Sequence, residues 1–234
     1  MQRWQSDEEV FAEMRRELFP AVIGDVMDTV GLVHQFLPPR IKPLAAAMVV
    51  LGRAMPVVEA DVYLGTYLGT SDGSHNPVMA KPFGLMFRAL DSLKPGEVYI
   101  TTGGSPRYAL WGELMSVRAR QLGAAGAVLD GYSRDTSGIL DLGFPTFSYG
   151  GYAQDQGVRG KVIDFRVPIE IGGTRVAPGD IIFGDGDGVC IIPQVAADEV
   201  IPLAFEKVRG ENLVRKALDD GLSAELAFDR FGIM

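Results

Sequence analysis

Residues 96–135 read GEVYITTGGSPRYALWGELMSVRARQLGAAGAVLDGYSRD. The short apolar runs Val98–Thr101 and Gly126–Leu129 are typical of buried strands. Between them, apolar residues recur at the 3.6-residue period of a helix over residues 109–122, and Gly123 is placed to end that helix. A helix that joins two buried strands in this way makes them parallel neighbours in one sheet. The segment therefore predicts a βαβ unit at the centre of the fold.

The remaining sequence predicts further helices and strands around this unit. Ser6 opens a predicted helix that runs to about Phe19, and residues 196–207 and 211–218 predict two helices near the C-terminus. Gly172-Gly173, placed between two β-like runs, predicts a hairpin. No linker is apparent. We therefore expect a mixed α/β (α+β) fold in a single domain over 1–234, with residues 1–20 as an N-terminal helical extension and 196–234 as a helical tail.

Composition excludes several functional classes. The chain has 234 residues and a formal net charge of −8, which disfavours binding to nucleic acid, because such binding depends on cationic side chains. The longest apolar run, residues 44–51, is too short to cross a membrane, and the acidic N-terminus lacks a signal-peptide core. These features indicate a cytoplasmic protein.

Cysteine and histidine are too scarce for a zinc site. Cys190 lies in an apolar run and is interpreted as a buried core thiol. His34 and His75 are the only histidines, so a metal would have oxygen ligands, as Mg²⁺ and Mn²⁺ prefer. The repeat Gly184–Gly188 resembles part of a calcium loop, but apolar β-like residues follow it, which favours a hairpin turn.

Two dipeptides carry the functional hypothesis: Gly112-Glu113 and, after twenty further residues, Arg134-Asp135. If the helix begins near Gly112, its first N–H groups are available to an anionic ligand. Arg134-Asp135 follows the next strand, and the carboxyl ends of parallel strands meet at one edge of a sheet. The two dipeptides should therefore lie together. The alternative is an ordinary helix start beside a surface Arg–Asp ion pair.

This spacing resembles the motif of the RraA-like proteins, which include the class II 4-hydroxy-4-methyl-2-oxoglutarate and 4-carboxy-4-hydroxy-2-oxoadipate aldolases. The runs GAAGAVLDG at 123–131 and VPIEIGGTRVAPGD at 167–180 are similar to the family pattern, and the resemblance covers about residues 20–220. It implies a layered ββα fold and a divalent-metal-dependent aldolase. Such an enzyme cleaves a 4-hydroxy-2-oxo acid to pyruvate and an oxo compound, with oxaloacetate decarboxylation as a side activity.

The resemblance also implies roles for individual residues. The backbone amides of Gly112, Glu113, Leu114 and Met115 would bind the substrate carboxylate. Arg134 would contact the ketone oxygen and the enolate that forms there, Asp135 would bind Mg²⁺ or Mn²⁺, and Glu113 would act as a base. Glu113 stands where many members have aspartate.

The resemblance further implies a homotrimer or homohexamer with the site at a subunit interface. A glutamate from a neighbouring subunit, Glu206 or Glu211, would complete it. The loop Ser148–Tyr152 departs from the family pattern and is expected to influence specificity; His75 is interpreted as a loop residue rather than a substrate ligand. The alternative function is that of RraA itself, a regulatory protein that binds and inhibits RNase E.

Overall fold

The computed structural model describes residues 4–62, 77–78 and 81–232. Tyr67–Asn76, including His75, lie outside the described residues, and so does the expectation placed on that loop. The chain divides into two compact units, one formed by Met1–Val33 with Val195–Met234 and the other by His34–Gln194. Whether residues 1–234 behave as a single domain stays a prediction. No helix in the described part of the chain is long and apolar enough to cross a membrane.

The described helices are α1 (Asp7–Glu17), α2 (Pro20–Thr29), α3 (Met86–Asp91), α4 (Glu113–Gln121), α5 (Thr136–Leu142), α6 (Ala197–Asp219) and α7 (Ala224–Phe231). The strands are β1 (Lys42–Pro43), β2 (Val50–Asp61), β3 (Glu97–Thr102), β4 (Ala109–Trp111), β5 (Gly126–Leu129), β6 (Tyr132–Ser133), β7 (Thr146–Ser148), β8 (Gly160–Phe165), β9 (Ile169–Ile171), β10 (Thr174–Val176), β11 (Ile181–Gly184) and β12 (Val189–Ile192).

The larger unit, His34–Gln194, is built on an eight-stranded sheet with the order β1-β7-β5-β3-β2-β11-β12, and β8 also pairs with β2. The predicted βαβ unit is confirmed, because β3 and β5 are parallel neighbours with Val98 opposite Gly126. The mixed α/β class is likewise confirmed. The hairpin at Gly172-Gly173 is present between β9 and β10.

Side chains alternate across β3 and form a buried core on each face of the sheet. Val98 and Ile100 pack into one apolar cluster, whereas Tyr99 packs into the other, which also contains Trp111. This alternation follows from the two-residue period of a strand. Because both faces are buried, the strand reads in sequence as a continuous apolar run.

One element of the central unit was predicted incorrectly. Residues 109–111 form β4, which pairs in parallel with β6, and the regular helix α4 begins only at Glu113. All three β4 residues are buried. Intrinsic helix propensity is a weak preference, and pairing with β6 overrides it.

The smaller unit contains α1, α2, α6 and α7. Ser6 caps α1 as predicted, since its side chain accepts a hydrogen bond from the Glu9 N–H group at 3.3 Å. The C-terminal prediction needs correction: α6 runs without a break through Gly210, where two helices were predicted, and α7 follows it. A glycine inside a helix costs only about 1 kcal/mol, so a long helix can retain it.

Two smaller predictions are also confirmed. Cys190 is fully buried in β12, and burial raises the pKa of its thiol far above the ordinary value. Gly184–Gly188 is the turn between β11 and β12, closed by a hydrogen bond from the Asp185 N–H group to the Gly188 carbonyl oxygen at 3.0 Å.

Candidate active site

The parallel pairing of β4 with β6 brings the two dipeptides together. The Arg134 N–H group donates to the Trp111 carbonyl oxygen at 2.9 Å, which fixes the end of β6 against the start of α4. The Glu113 N–H group donates to Asp135 Oδ2 at 3.3 Å. Groups separated by twenty residues in sequence therefore share one site, as the strand–helix–strand pattern predicted.

Gly112 is required at this point by the space available. Its backbone is extended, so a side chain would cause no dihedral strain there. A Cβ atom at this position would, however, lie 2.7 Å from Asp135 Oδ2 and 3.4 Å from Arg134 Cγ. The absence of a side chain lets Arg134 and Asp135 approach the first turn of α4 closely.

On the predicted role of Asp135 as a metal ligand, we expect Gly112→Ala to lower divalent-metal affinity by about tenfold or more, because the added methyl group would displace the Asp135 carboxylate. Gly188→Ala is the matched control, since a Cβ atom at Gly188 meets no atom within 4 Å. Calorimetric titration with Mn²⁺ measures the affinity, and thermal unfolding checks that both variants fold. Unchanged metal affinity in Gly112→Ala would contradict this account of the glycine.

The first turn of α4 offers backbone donors to a ligand. The Glu113 N–H group is taken by Asp135, whereas the Ser116 N–H group donates to the Gly112 carbonyl oxygen at 3.1 Å. Among the described residues, no acceptor is placed for the N–H groups of Leu114 and Met115. Two of the amides predicted to bind a carboxylate are thus oriented by the helix start and available to a ligand.

Arg134 is held by two carboxylates. Its Nη1 atom donates to Asp155 Oδ1 at 2.7 Å, and its Nε atom lies 3.5 Å from Asp135 Oδ2. Asp155 is itself fixed by the Gly157 N–H group, which donates to its Oδ2 atom at 2.8 Å. Sequence reasoning missed Asp155, because its Asp-x-Gly turn carries no motif and Asp155 is twenty-one residues from Arg134.

Asp135 occupies a left-handed backbone conformation, with φ of 57°, immediately before α5. Aspartate and asparagine tolerate this conformation better than most residues. Its side chain is 43% exposed, so its carboxylate oxygens are accessible to solvent. The residue is positioned by its own backbone geometry and by the first turn of α4.

Glu113 extends from the first turn of α4 over α5. A Cβ atom at Gly138 would lie 2.4 Å from Glu113 Oε2, so the glutamate carboxyl group rests directly on the Gly138 backbone. The Glu113 side chain fits here because Gly138 has no side chain.

A cavity of about 340 Å³ opens beside these residues. Its volume lies at the lower end of the range for small-molecule sites. The lining consists of a polar part and a larger apolar part: Phe83, Met86, Phe87, Leu90, Ala109, Leu110, Trp111, Gly112, Leu114, Met115, Arg134, Asp135, Asp155 and Gln156. Residues 148–152, which were expected to influence specificity, are not among the described lining residues.

A buried carboxyl group lies behind the cavity wall. Gln156 Nε2 donates to both carboxyl oxygens of Glu59, at 3.0 and 2.8 Å, and Glu59 is only 2% exposed. Burial raises the pKa of Glu59 from 4.5 to about 8, although the hydrogen bond from Gln156 acts in the opposite direction. Burial therefore favours the protonated form of Glu59 in the folded protein.

This pKa shift predicts a pH dependence of stability. Above pH 4.5 the unfolded chain loses the Glu59 proton while the folded protein retains it until about pH 8. The free energy of unfolding should consequently fall by about 1 kcal/mol per pH unit across this window owing to Glu59. Denaturant titrations between pH 5 and pH 8 measure the slope. Glu59→Gln should remove this contribution, and equal slopes in the two proteins would refute it.

Comparison with known proteins identifies the family. A family model described as RraA-like, Aldolase/RraA, matches residues 20–191. The chain belongs to the RraA-like family.

The RraA-like chain resembles relatives with differing names. It is 32% identical over 144 residues to a Halalkalibacterium halodurans protein named "Putative 4-hydroxy-4-methyl-2-oxoglutarate aldolase", covering 61% of this chain and 68% of the relative. An uncharacterised Pseudomonas syringae protein of known structure superposes with a TM-score of 0.80 at 24% identity, over 99% of this chain and 98% of the other. Streptomyces coelicolor RraAS2, described as an unusual member of the RNase ES inhibitor RraA protein family, gives a TM-score of 0.75 at 22% identity, over 91% and 98%. At these identities the two structures show the fold alone.

Proposed function

We propose that this protein is a divalent-metal-dependent aldolase that cleaves a 4-hydroxy-2-oxo acid to pyruvate and an oxo compound. The observation that carries the proposal is the contact between the start of α4 and Arg134-Asp135, with Gly112, Arg134 and Asp135 in the lining of one cavity. Relatives about 30% identical to this chain carry aldolase names, which supports a carbon–carbon lyase.

The carboxylate of the substrate would bind at the start of α4. The N–H groups of Leu114 and Met115 lie in the first turn of α4 and point outward from its N-terminal end. The helix dipole favours an anion at that end. Arg134 lies beside this helix start and would donate to the 2-keto oxygen. Its planar guanidinium suits this task, because it can remain bonded to Asp155 through one nitrogen while another contacts the substrate.

The donor set fits a hydrated magnesium or manganese ion. Within residues 4–62, 77–78 and 81–232, no group of three or more His, Cys, Asp or Glu side chains is arranged to hold a metal. Mg²⁺ usually retains several waters and binds through only one or two carboxylates, so the exposed Asp135 would suffice. When bound, the ion would act as a Lewis acid that lowers the energy of negative charge on the substrate's keto oxygen.

Bond cleavage requires a base and a stabilised enolate. The C3–C4 bond breaks, the 4-hydroxyl proton leaves, and its carbon becomes a carbonyl group. We assign the proton to Glu113, directly or through one water, and the enolate oxygen to Arg134. Protonation of the enolate at C3 then gives pyruvate. Loss of CO₂ from oxaloacetate forms the same enolate, so decarboxylation is the expected side activity.

A homotrimer or homohexamer with the site at a subunit interface is part of the proposal. Glu206 and Glu211 remain the two candidates for a residue contributed by a neighbouring subunit. Both lie on α6, and Glu211 forms an ion pair with Lys207 at 3.5 Å. Glu206→Ala and Glu211→Ala, assayed separately, would distinguish them.

The regulatory alternative is supported by the shared fold with RraAS2, whose description names RNase ES inhibition. It predicts binding to an RNase E-type ribonuclease without a requirement for the Arg134–Asp135 pair. A binding assay with purified ribonuclease, alongside the assay below, separates the two functions.

The direct test is pyruvate release from a panel of 4-hydroxy-2-oxo acids and oxaloacetate, followed with lactate dehydrogenase. We expect turnover with Mg²⁺ or Mn²⁺ and none after treatment with EDTA. Absence of pyruvate release from every acid in the presence of either metal would refute the aldolase function.

A further inference from the structure

The cavity beside Arg134 has a small polar part and a larger apolar part. Its polar groups come from three short segments: the start of α4, Arg134-Asp135, and Asp155-Gln156. The larger part of the lining is apolar, contributed by α3 with the preceding turn, by β4 and by α4: Phe83, Met86, Phe87, Leu90, Leu110, Trp111, Leu114 and Met115. Most of these side chains are at least partly buried in the fold, so the apolar wall is a built part of it.

Charge in the cavity favours a substrate with one carboxylate. Arg134 is the only cation among the described lining residues, and Asp135 and Asp155 both contact it. The lining therefore carries a formal charge of −1, which becomes +1 with the divalent ion of the proposed function bound, and a first substrate carboxylate would neutralise that charge. One carboxylate of the substrate would accept hydrogen bonds from the α4 amides. A second carboxylate would lie against apolar side chains, with no cation beside it among the described lining residues. A carboxylate there would lose part of its hydration without gaining a cationic partner, which is unfavourable.

Phe87 lies where its ring could contact the group attached to C4 of the substrate. It lies in α3, which contributes none of the polar lining groups, and it is 55% exposed. Its ring also packs edge-to-face on Phe83, with ring centroids 5.6 Å apart. The two aromatic side chains thus form an apolar surface that is open to solvent and continuous with the cavity.

We propose that the substrate carries an uncharged apolar group, alkyl or aryl, at C4, and that the second product is an apolar aldehyde or ketone. This inference rests on the proposed aldolase function and specifies its substrate class. In the reaction the C3–C4 electron pair becomes the pyruvate enolate, the 4-hydroxyl proton passes to Glu113, and C4 leaves as the carbonyl carbon. The balance needs no oxidant or reductant. The apolar C4 group is bound by the lining residues Phe83, Phe87 and Leu90.

The test compares matched 4-hydroxy-2-oxo acids that differ only in the C4 substituent, phenyl or isobutyl against carboxymethyl, with the full chain and Mg²⁺. We expect kcat/KM to be at least about tenfold higher for the apolar acids, the effect of one or two well-buried methylene groups. Phe87→Lys should reduce the ratio of the two kcat/KM values, because it should raise kcat/KM for the carboxymethyl acid and lower kcat/KM for the phenyl acid. Phe87→Leu is the matched control and should retain the apolar preference.

A separate measurement distinguishes failure of this inference from failure of the aldolase function. Exchange of the pyruvate methyl protons in D₂O requires enolate formation but no C4 group. If the wild-type protein catalyses this exchange yet uses the carboxymethyl acid as well as the apolar acids, the substrate-class inference is overturned and the aldolase function stands. If neither exchange nor cleavage occurs, the aldolase function itself is overturned. A ratio unaffected by Phe87→Lys would also contradict the assignment of the apolar wall.

Discussion

Asp135→Asn should reduce pyruvate release by about 10³-fold or more while leaving the protein folded. The residue has φ of 57°, a conformation that asparagine tolerates, so the variant removes charge with little change in shape. The Glu113 N–H group can still donate to the amide oxygen of asparagine. The expected loss corresponds to the several kcal/mol that a Lewis-acid ion contributes at a developing enolate.

Two measurements separate this effect from misfolding. Steady-state kinetics with saturating Mg²⁺ should show the loss in kcat, and titration with Mn²⁺ should show weakened binding. The unfolding temperature should remain close to that of the wild type. Normal activity in a folded Asp135→Asn protein would exclude the carboxylate as the metal ligand.

Arg134→Lys should lower kcat by about 10²- to 10³-fold, the usual cost of removing one preorganised donor to an oxyanion. Lysine retains the charge but lacks the planar guanidinium with which arginine can contact Asp155 and the substrate oxygen at the same time. KM should change much less than kcat, because in the proposed mechanism Arg134 acts mainly on the enolate, whereas the substrate carboxylate would remain bound by the α4 amides.

Arg118→Lys is the matched control for this substitution. Arg118 also bonds a carboxylate, Asp91 Oδ1 at 2.8 Å, but it lies on the exposed part of α4 and does not line the cavity. The activity of Arg118→Lys should stay within a factor of two of the wild type, since an exposed ion pair contributes only about 0–1 kcal/mol to stability. Equal losses in Arg118→Lys and Arg134→Lys would show that general destabilisation, and not catalysis, explains the effect.

The centre of the fold could be predicted because its signals are local. Apolar runs at 98–101 and 126–129, separated by a helical period, specify parallel strands, and parallel strands bring their carboxyl-end loops together. The juxtaposition of Gly112 with Asp135 was predicted from this geometry, although in the structure the pairing of β4 with β6 brings the two residues together. The strand β4 could not be predicted in the same way, because Ala109–Trp111 acquires its structure from pairing with β6.

Contacts distant in sequence explain the rest of what was missed. Asp155 reaches Arg134 across twenty-one residues, and Glu59 meets Gln156 across ninety-seven. Neither pair carries a motif, because each depends on how loops return to the sheet edge. The occupied Glu113 N–H group was also not foreseen, since it depends on the side-chain direction of Asp135.

Metal-dependent exchange of the pyruvate methyl protons tests the central claim most directly, because it isolates enolate formation at the Arg134–Asp135 site. Proton NMR in D₂O should show loss of the methyl signal with wild-type protein and Mg²⁺ or Mn²⁺. The loss should be suppressed by EDTA and by Asp135→Asn. Exchange no faster than that caused by metal and buffer alone, or equally fast exchange with folded Asp135→Asn, would contradict pyruvate-enolate chemistry at this site.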